Sequence, residues 1–178
     1  MRVITGSAKG RRLKTLEGED IRPTADKVKG AIFSSIQFDI EGRKVLDLFA
    51  GSGQLGIEAL SRGAERAVFV DLSRDAVKVV NENLTHCLLS EKAYVFNGDG
   101  ISYLKTAREK FDIVFLDPPY KKKLVTKALP LAAAAVNDGG IIVCETGLDE
   151  ELPETVGDFT AVKQKRYSKT MFTVYRQQ

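Results

Sequence analysis

Asp117-Pro118-Pro119-Tyr120 follows an almost purely apolar run, Phe111–Leu116. Two consecutive prolines fix the chain there and keep the Pro118 carbonyl from drifting into a helix. A rigid carboxylate on Asp117 beside a rigid carbonyl on Pro118 can accept both hydrogens of a planar amino group. That pairing aims the nitrogen at an electrophile and favours the positive charge that develops as it attacks. No strong general base is needed, because the proton leaves easily once the nitrogen is alkylated. Tyr120 can stack on a nucleobase and hold it outside its helix or loop. The plain alternative is a tetrapeptide that ends a strand and turns outward.

A second constellation lies earlier, at Asp47-Leu48-Phe49-Ala50-Gly51-Ser52-Gly53-Gln54-Leu55-Gly56. Glycines between a strand and a helix let the backbone turn tightly and approach a ligand at the helix N-terminus. Asp71 ends the next strand, where a carboxylate can take both ribose hydroxyls of an adenosine-containing cofactor. Asp99, after the third strand, can accept from an adenine amino group. Asp47 can order the loop or meet a cationic end of the ligand. Gly51, Gly53 and Gly56 also approximate the GxGxxG spacing, so a dinucleotide enzyme stands as a rival. No GxxxxGK[ST] occurs, which removes a P-loop nucleotidase. A ligand-free turn is the bland reading, although a plain connector has no need of three glycines.

The elements that position these residues follow from periodicity. Thr24 caps a helix with Val28, Ala31, Ile32 and Ser35 on one face, and Pro23 precedes the cap. Strands are expected at 44–49, 66–71, 93–96, 111–116 and 140–144, and helices at 54–62, 73–85, 101–107 and 124–136. Strands alternating with helices describe a mainly parallel sheet covered on both sides. The tail changes pattern: 159–166 and 171–175 alternate, and Tyr167-Ser168-Lys169-Thr170 joins them as a hairpin.

The chain has 178 residues, enough for one domain with a sizeable core. No apolar run reaches the roughly 20 residues that cross a membrane, and the N-terminus lacks the apolar stretch of a secretory signal. Cys87 and Cys144 suggest neither a disulfide framework nor a metal site, so a cytoplasmic protein is expected. Net charge is only +3, but its distribution is uneven. Residues 1–29 carry eight Lys or Arg against four acids, and the last twenty carry five and no acid. Lys121–Lys123 form a third cluster. These patches suit phosphate contacts, which position without reading sequence, and solvated faces are the alternative. His86, the only histidine, reads as a surface or half-buried residue.

Taken together, these residues resemble the RsmD-type methyltransferases of bacterial small-subunit ribosomal RNA, which modify a guanine at N2. The likeness covers essentially the whole chain. Arg2-Val3-Ile4-Thr5-Gly6 with Lys9-Gly10-Arg11-Arg12-Leu13 is similar to the family's opening β-hairpin arm. Arg22-Pro23-Thr24-Ala25-Asp26-Lys27-Val28-Lys29 is similar to its R-P-T-x-D-x-V-R stretch. The glycine loop with Gly56-Ile57-Glu58-Ala59-Leu60-Ser61-Arg62-Gly63-Ala64, and the D-P-P-Y, complete it. Two departures stand out: Lys29-Gly30 replaces Arg-Glu, which removes an anionic contact, and Ser168 replaces a glycine in the hairpin turn.

The resemblance implies an α/β, Rossmann-like class I S-adenosylmethionine-dependent fold. Its sheet is mainly parallel and seven-stranded, with a C-terminal antiparallel hairpin and a small N-terminal β-hairpin arm and helix. Residues 1–178 form one domain, of which 1–22 are the basic arm. S-adenosyl-L-methionine is the implied cofactor. Its implied contacts are Asp47, Phe49, Ala50, Gly51, Ser52 and Gly53, then Asp71 and Leu72, and finally Asp99 and Gly100. Asp117, Pro118 and Tyr120 handle the base. Lys9, Arg11, Arg12, Arg22, Lys27, Pro119 and Lys169 face the RNA. The expected partner is small-subunit ribosomal RNA in a partly assembled particle, with no membrane, no metal and a monomeric enzyme. Competing targets are adenine N6 in DNA, another RNA guanine or a protein glutamine. Outside enzymes, the rival is an RNA-binding assembly factor, for which damage to the glycine loop or D-P-P-Y would be the sign; both are intact.

Overall fold

A computed structural model describes residues 1–16, 23–119 and 123–178. The elements run α1 (Pro23–Ser35), β1 (Lys44–Leu48), α2 (Gln54–Ser61), β2 (Arg66–Asp71), α3 (Arg74–Cys87), β3 (Ala93–Asn97), α4 (Gly100–Thr106), β4 (Phe111–Leu116), α5 (Leu124–Ala135), β5 (Val136–Gly147), β6 (Thr155–Val156), β7 (Phe159–Arg166) and β8 (Thr170–Gln177). A single sheet has the order β3-β2-β1-β4-β5-β8-β7-β6. The first five strands are parallel, and β8 returns antiparallel to β5. This is the class I methyltransferase arrangement expected above, with the two-residue β6 added at the far edge.

Two apolar layers explain the order. Side chains from α1, α2, α3 and the N-terminal arm pack on one face of the sheet, around Ile32, Phe33, Ile57, Phe69 and Phe115. The α4 and α5 side chains pack on the other, around Leu46, Val114, Leu129 and Tyr175. Strands β1 and β4 contribute to both layers because alternate residues point to opposite faces. They are buried throughout except at Lys44 and Asp112, consistent with their central place. At the parallel edge, β3 leaves Tyr94 and Phe96 exposed.

Several boundaries differ from the sequence reading. Helix α1 already includes Pro23 rather than starting after a Thr24 cap. Proline suits a first helical position, where its missing N–H is one of the unpaired donors anyway and its φ is preset. The buried stripe is Val28, Lys29, Ile32, Phe33 and Ile36, not one through Ala31 and Ser35, which are only partly buried. Strand β5 was expected at 140–144 but runs Val136–Gly147, directly from α5. Asn137-Asp138-Gly139-Gly140 resembles a turn, yet it stays in the sheet with Gly139 at φ 73 and a register shift opposite Phe111–Ile113.

The N-terminal arm pairs with itself through one antiparallel bridge, Arg2 to Arg12. Its described part, residues 1–16, lies on the body rather than projecting from it. Val3, Ala8 and Leu13 are buried, and polar anchors hold the residues around them. Glu58, itself buried, accepts from the backbone N–H groups of Ile4 (2.8 Å) and Thr5 (3.0 Å) and from Arg62 Nε (2.8 Å). Its other partner is the buried Lys29 ammonium, 3.6 Å away, which also donates to the Arg2 carbonyl at 2.7 Å. Burial pushes the Lys29 pKa down, against the pull of Glu58 and Asp26. Gly6 sits at φ 90 so close to Ser61 that a Cβ would lie 1.7 Å from its carbonyl oxygen.

Candidate active site

The two constellations meet at one edge of the sheet because of register. Leu48 of β1 pairs with Leu116 of β4. The glycine loop and Asp117 therefore leave the sheet from the same rung, at the carboxyl ends where α/β folds hold ligands. Phe49 turns the chain out of β1 with φ 67, a left-handed conformation that a non-glycine residue seldom takes. Gly51 (φ 55) and Gly53 (φ 78) complete the loop, and Gly53 is the left-handed cap of α2. Ala50 N–H binds the Val70 carbonyl at 2.9 Å, and Gly53 N–H binds the Ala50 carbonyl at 2.7 Å.

Three carboxylates frame the loop. Asp47 is buried, and one of its oxygens accepts from the Gly56 N–H at 2.8 Å, so it orders the first turn of α2. Burial pushes its pKa up to about 7, opposed by that hydrogen bond and reinforced by the negative charge of Asp71. Asp71 accepts from the Gly51 N–H and the Ser73 N–H, both at 2.8 Å, one on each oxygen. Each oxygen keeps a second lone pair, which is what a vicinal diol requires of an acceptor. Asp99 is exposed and caps α4 by accepting from Ser102 N–H at 2.8 Å; that hydrogen bond holds its carboxyl below the usual range. Gly100 follows it, where a Cβ would fall 2.9 Å from the Phe49 ring. Leu72, beside Asp71, is largely exposed at this edge.

The residues present fit a bound adenosine derivative carrying a cationic end. Gln54, the first residue of α2, has its Oε1 buried with no hydrogen-bond partner among the described residues. A buried acceptor left unpaired in this way is suited to a donor on a ligand. Asp47 adds a carboxylate whose raised pKa a nearby cation would bring down.

On the reacting side, Asp117 is half-buried, Pro118 is buried and Pro119 is exposed. Tyr120 and Arg22 lie outside the described residues, as do Lys121 and Lys122 of the third basic cluster. Among the RNA-facing candidates, Lys9, Arg12, Lys27 and Lys169 are exposed. Arg11 instead donates through its guanidinium to the carbonyl of His86, whose side chain is exposed. Lys14 pairs with Glu82 at 2.7 Å.

Sequence reasoning passed over Asn83. It is 1% exposed; its amide donates to the Ser52 carbonyl (2.9 Å) and the Lys14 carbonyl (3.0 Å) and accepts from the Lys14 N–H (2.8 Å). One side chain thus ties the arm to the glycine loop. Gln54 was also passed over, although its place immediately after the loop was a usable signal.

Among the described residues, no helix is long and apolar enough to span a membrane, and no His, Cys, Asp and Glu cluster is arranged to hold a metal. The family model described as "Conserved hypothetical protein 95" matches residues 1–176. YlbH of Bacillus subtilis (strain 168) is 44% identical over 181 residues, covering 99% of this chain and 98% of the relative. Ribosomal RNA small subunit methyltransferase D of Haemophilus influenzae is 35% identical over 181 residues, covering 99% and 93%. The solved structure of yhhF from Escherichia coli superposes with a TM-score of 0.88 at 30% identity, covering 100% of this chain and 98% of that one.

Proposed function

The chain belongs to the RsmD-type methyltransferase family, being 35% identical over 99% of its length to ribosomal RNA small subunit methyltransferase D of Haemophilus influenzae, and we propose that it methylates the exocyclic N2 amino group of a guanine in small-subunit (16S) ribosomal RNA. The observation that carries the reading is the shared rung of β1 and β4, which sends the glycine loop and Asp117-Pro118-Pro119 out of the sheet side by side. When bound, S-adenosyl-L-methionine supplies an electrophilic methyl group on a sulfonium.

The chain's own residues do the rest. Asp71 would hold the ribose hydroxyls, with Leu72, Asp99 and Gly100 bounding the adenine end and Phe49, Ala50, Gly51, Ser52 and Gly53 forming the loop beneath. Asp47 and Gln54 would meet the cationic end. Asp117 and the Pro118 carbonyl would accept the two amino hydrogens of the guanine, turning the nitrogen lone pair toward the methyl group and stabilising the charge that develops on nitrogen. Tyr120 would stack on the base. Residues 1–178 would act as one monomeric, cytoplasmic domain on a partly assembled small subunit, so that ribosomal proteins and the basic arm together hold the RNA.

The test is methyl transfer from labelled S-adenosylmethionine to unmodified small-subunit RNA, deproteinised or partly assembled, with the product nucleoside identified by mass spectrometry. N2-methylguanine at one site is expected, and Asp117→Ala should lower the rate by at least about 100-fold, the scale of a lost electrostatic clamp. A methylated adenine, or undiminished transfer by the variant, would overturn the assignment.

A further inference from the structure

The docked arm and α1 enclose a cleft of about 440 Å³ whose walls include Arg2, Lys9, Lys27, Asp26 and Gly30. Arg2, Lys9 and Lys27 are exposed, and none of the three forms an ion pair among the described residues. Asp26 is the one carboxylate among the described residues of the wall. Two of the arm's other cations are engaged, Arg11 with the His86 carbonyl and Lys14 with Glu82, while Arg12 is exposed and lines a different cleft beside Glu82 and His86. Among the described residues, the cleft therefore brings three cations without an ion pair into one place.

Gly30 supplies the second observation. It lies inside α1, where glycine is the least favourable residue apart from proline. Neither usual reason for a glycine applies. Its φ is not positive, and a Cβ would meet only Ile4 Cδ1 at 3.9 Å, an ordinary contact. Any longer side chain would extend into the cleft. What the glycine does is leave that space open.

We propose that this cleft is a binding subsite for a backbone phosphate of the RNA substrate, held by Arg2, Lys9 and Lys27 and kept open by Gly30. The proposal rests on the RNA methyltransferase reading above. Contacts of this kind dominate affinity and set the register of the complex without reading bases. They would fix the arm's side of the RNA while the D-P-P-Y edge takes the target guanine.

Gly30→Glu and Gly30→Gln have nearly the same shape, and both favour the helix over glycine, so they isolate charge from folding. Binding of unmodified small-subunit RNA is measured by filter retention across a salt series, beside the methylation rate. The Glu variant should bind about tenfold more weakly than the Gln variant at low salt, with the gap closing as salt rises. Its KM for RNA should rise more than its kcat falls. Lys9→Ala and Lys27→Ala should each flatten the slope of log affinity against log salt by about one, and Lys14→Ala should not. Equal affinities of the Glu and Gln variants, with wild-type protein binding and methylating the RNA, would overturn the subsite and leave the function standing. A wild-type protein that neither binds nor methylates the RNA would overturn both.

Discussion

Asp47 is the residue at which geometry becomes a pH dependence. The unfolded side chain titrates near 3.9, whereas burial raises the folded value to about 7. Between those values the folded state keeps a proton that the unfolded state has lost. Stability of the ligand-free protein therefore falls as pH rises through that window and is level above it, by up to about 4 kcal/mol. Asp47→Asn keeps an acceptor for the Gly56 N–H and removes the titration. Its thermal midpoint, measured against wild type, should gain steadily from pH 5 to pH 7.5 and then stop gaining. A constant difference would mean that Asp47 stays ionised. At this scale the sequence was most legible for placement: Asp71 ends β2, Asp117 follows β4 and Asp99 follows β3 where expected, while Asp47 lies within β1. Glu58, Asn83 and Lys29 were not legible in this way. A polar residue on an amphipathic helix reads as a solvated face, and partners 27 to 69 residues away leave no local periodicity.

Among the elements, the arm depends on polar anchors more than its sequence suggests. Removing the Glu58 carboxylate would strand the Lys29 ammonium, 1% exposed, and free two arm N–H groups. Glu58→Ala should therefore cost about 3–5 kcal/mol, read as a lowered urea midpoint. Gly6→Ala is gentler on the core, because only the arm must move away from Ser61. Hydrogen exchange should show lost protection from Val3 to Leu13 with β1 and β4 unchanged; simultaneous loss in the strands would make the arm part of the core's cooperative unit. Asn83→Asp keeps the acceptor for Lys14 and loses both donated bonds, so cofactor affinity should drop about tenfold, a hydrogen-bond-sized effect. Strand limits at 66–71, 111–116 and 159–166 were legible because apolar runs and turn residues bound them sharply. The early part of β5 was hidden by two glycines, and β6 is too short to carry a pattern.

At the scale of the whole molecule, each apolar layer contains one buried thiol. Cys87 belongs to the layer of α1, α2 and α3, and Cys144 to that of α4 and α5. Burial pushes both thiols up, which slows their reaction until the surrounding structure opens. Single-thiol variants, Cys87→Ala and Cys144→Ala, can then be labelled in low denaturant. If the two layers open together, both thiols should give one opening free energy, equal to that of global unfolding. Faster labelling of Cys87 alone would show that the arm-side layer opens by itself. The parallel sheet and its closing hairpin were evident from the order of periodic segments. The docking of the arm was not, since it follows from side-chain pairs distant in sequence.

Strand β8 follows β7 in sequence, yet it lies inside the sheet between β5 and β7. While the nascent chain is still emerging, β5 has a partner on one side only, and its other edge offers unpaired N–H and carbonyl groups. The sheet can close only after residues 170–177 are free. Completion of the sheet therefore waits on residues 170–177, and a growing polypeptide that has not yet released them carries an open β-edge that invites association with other chains.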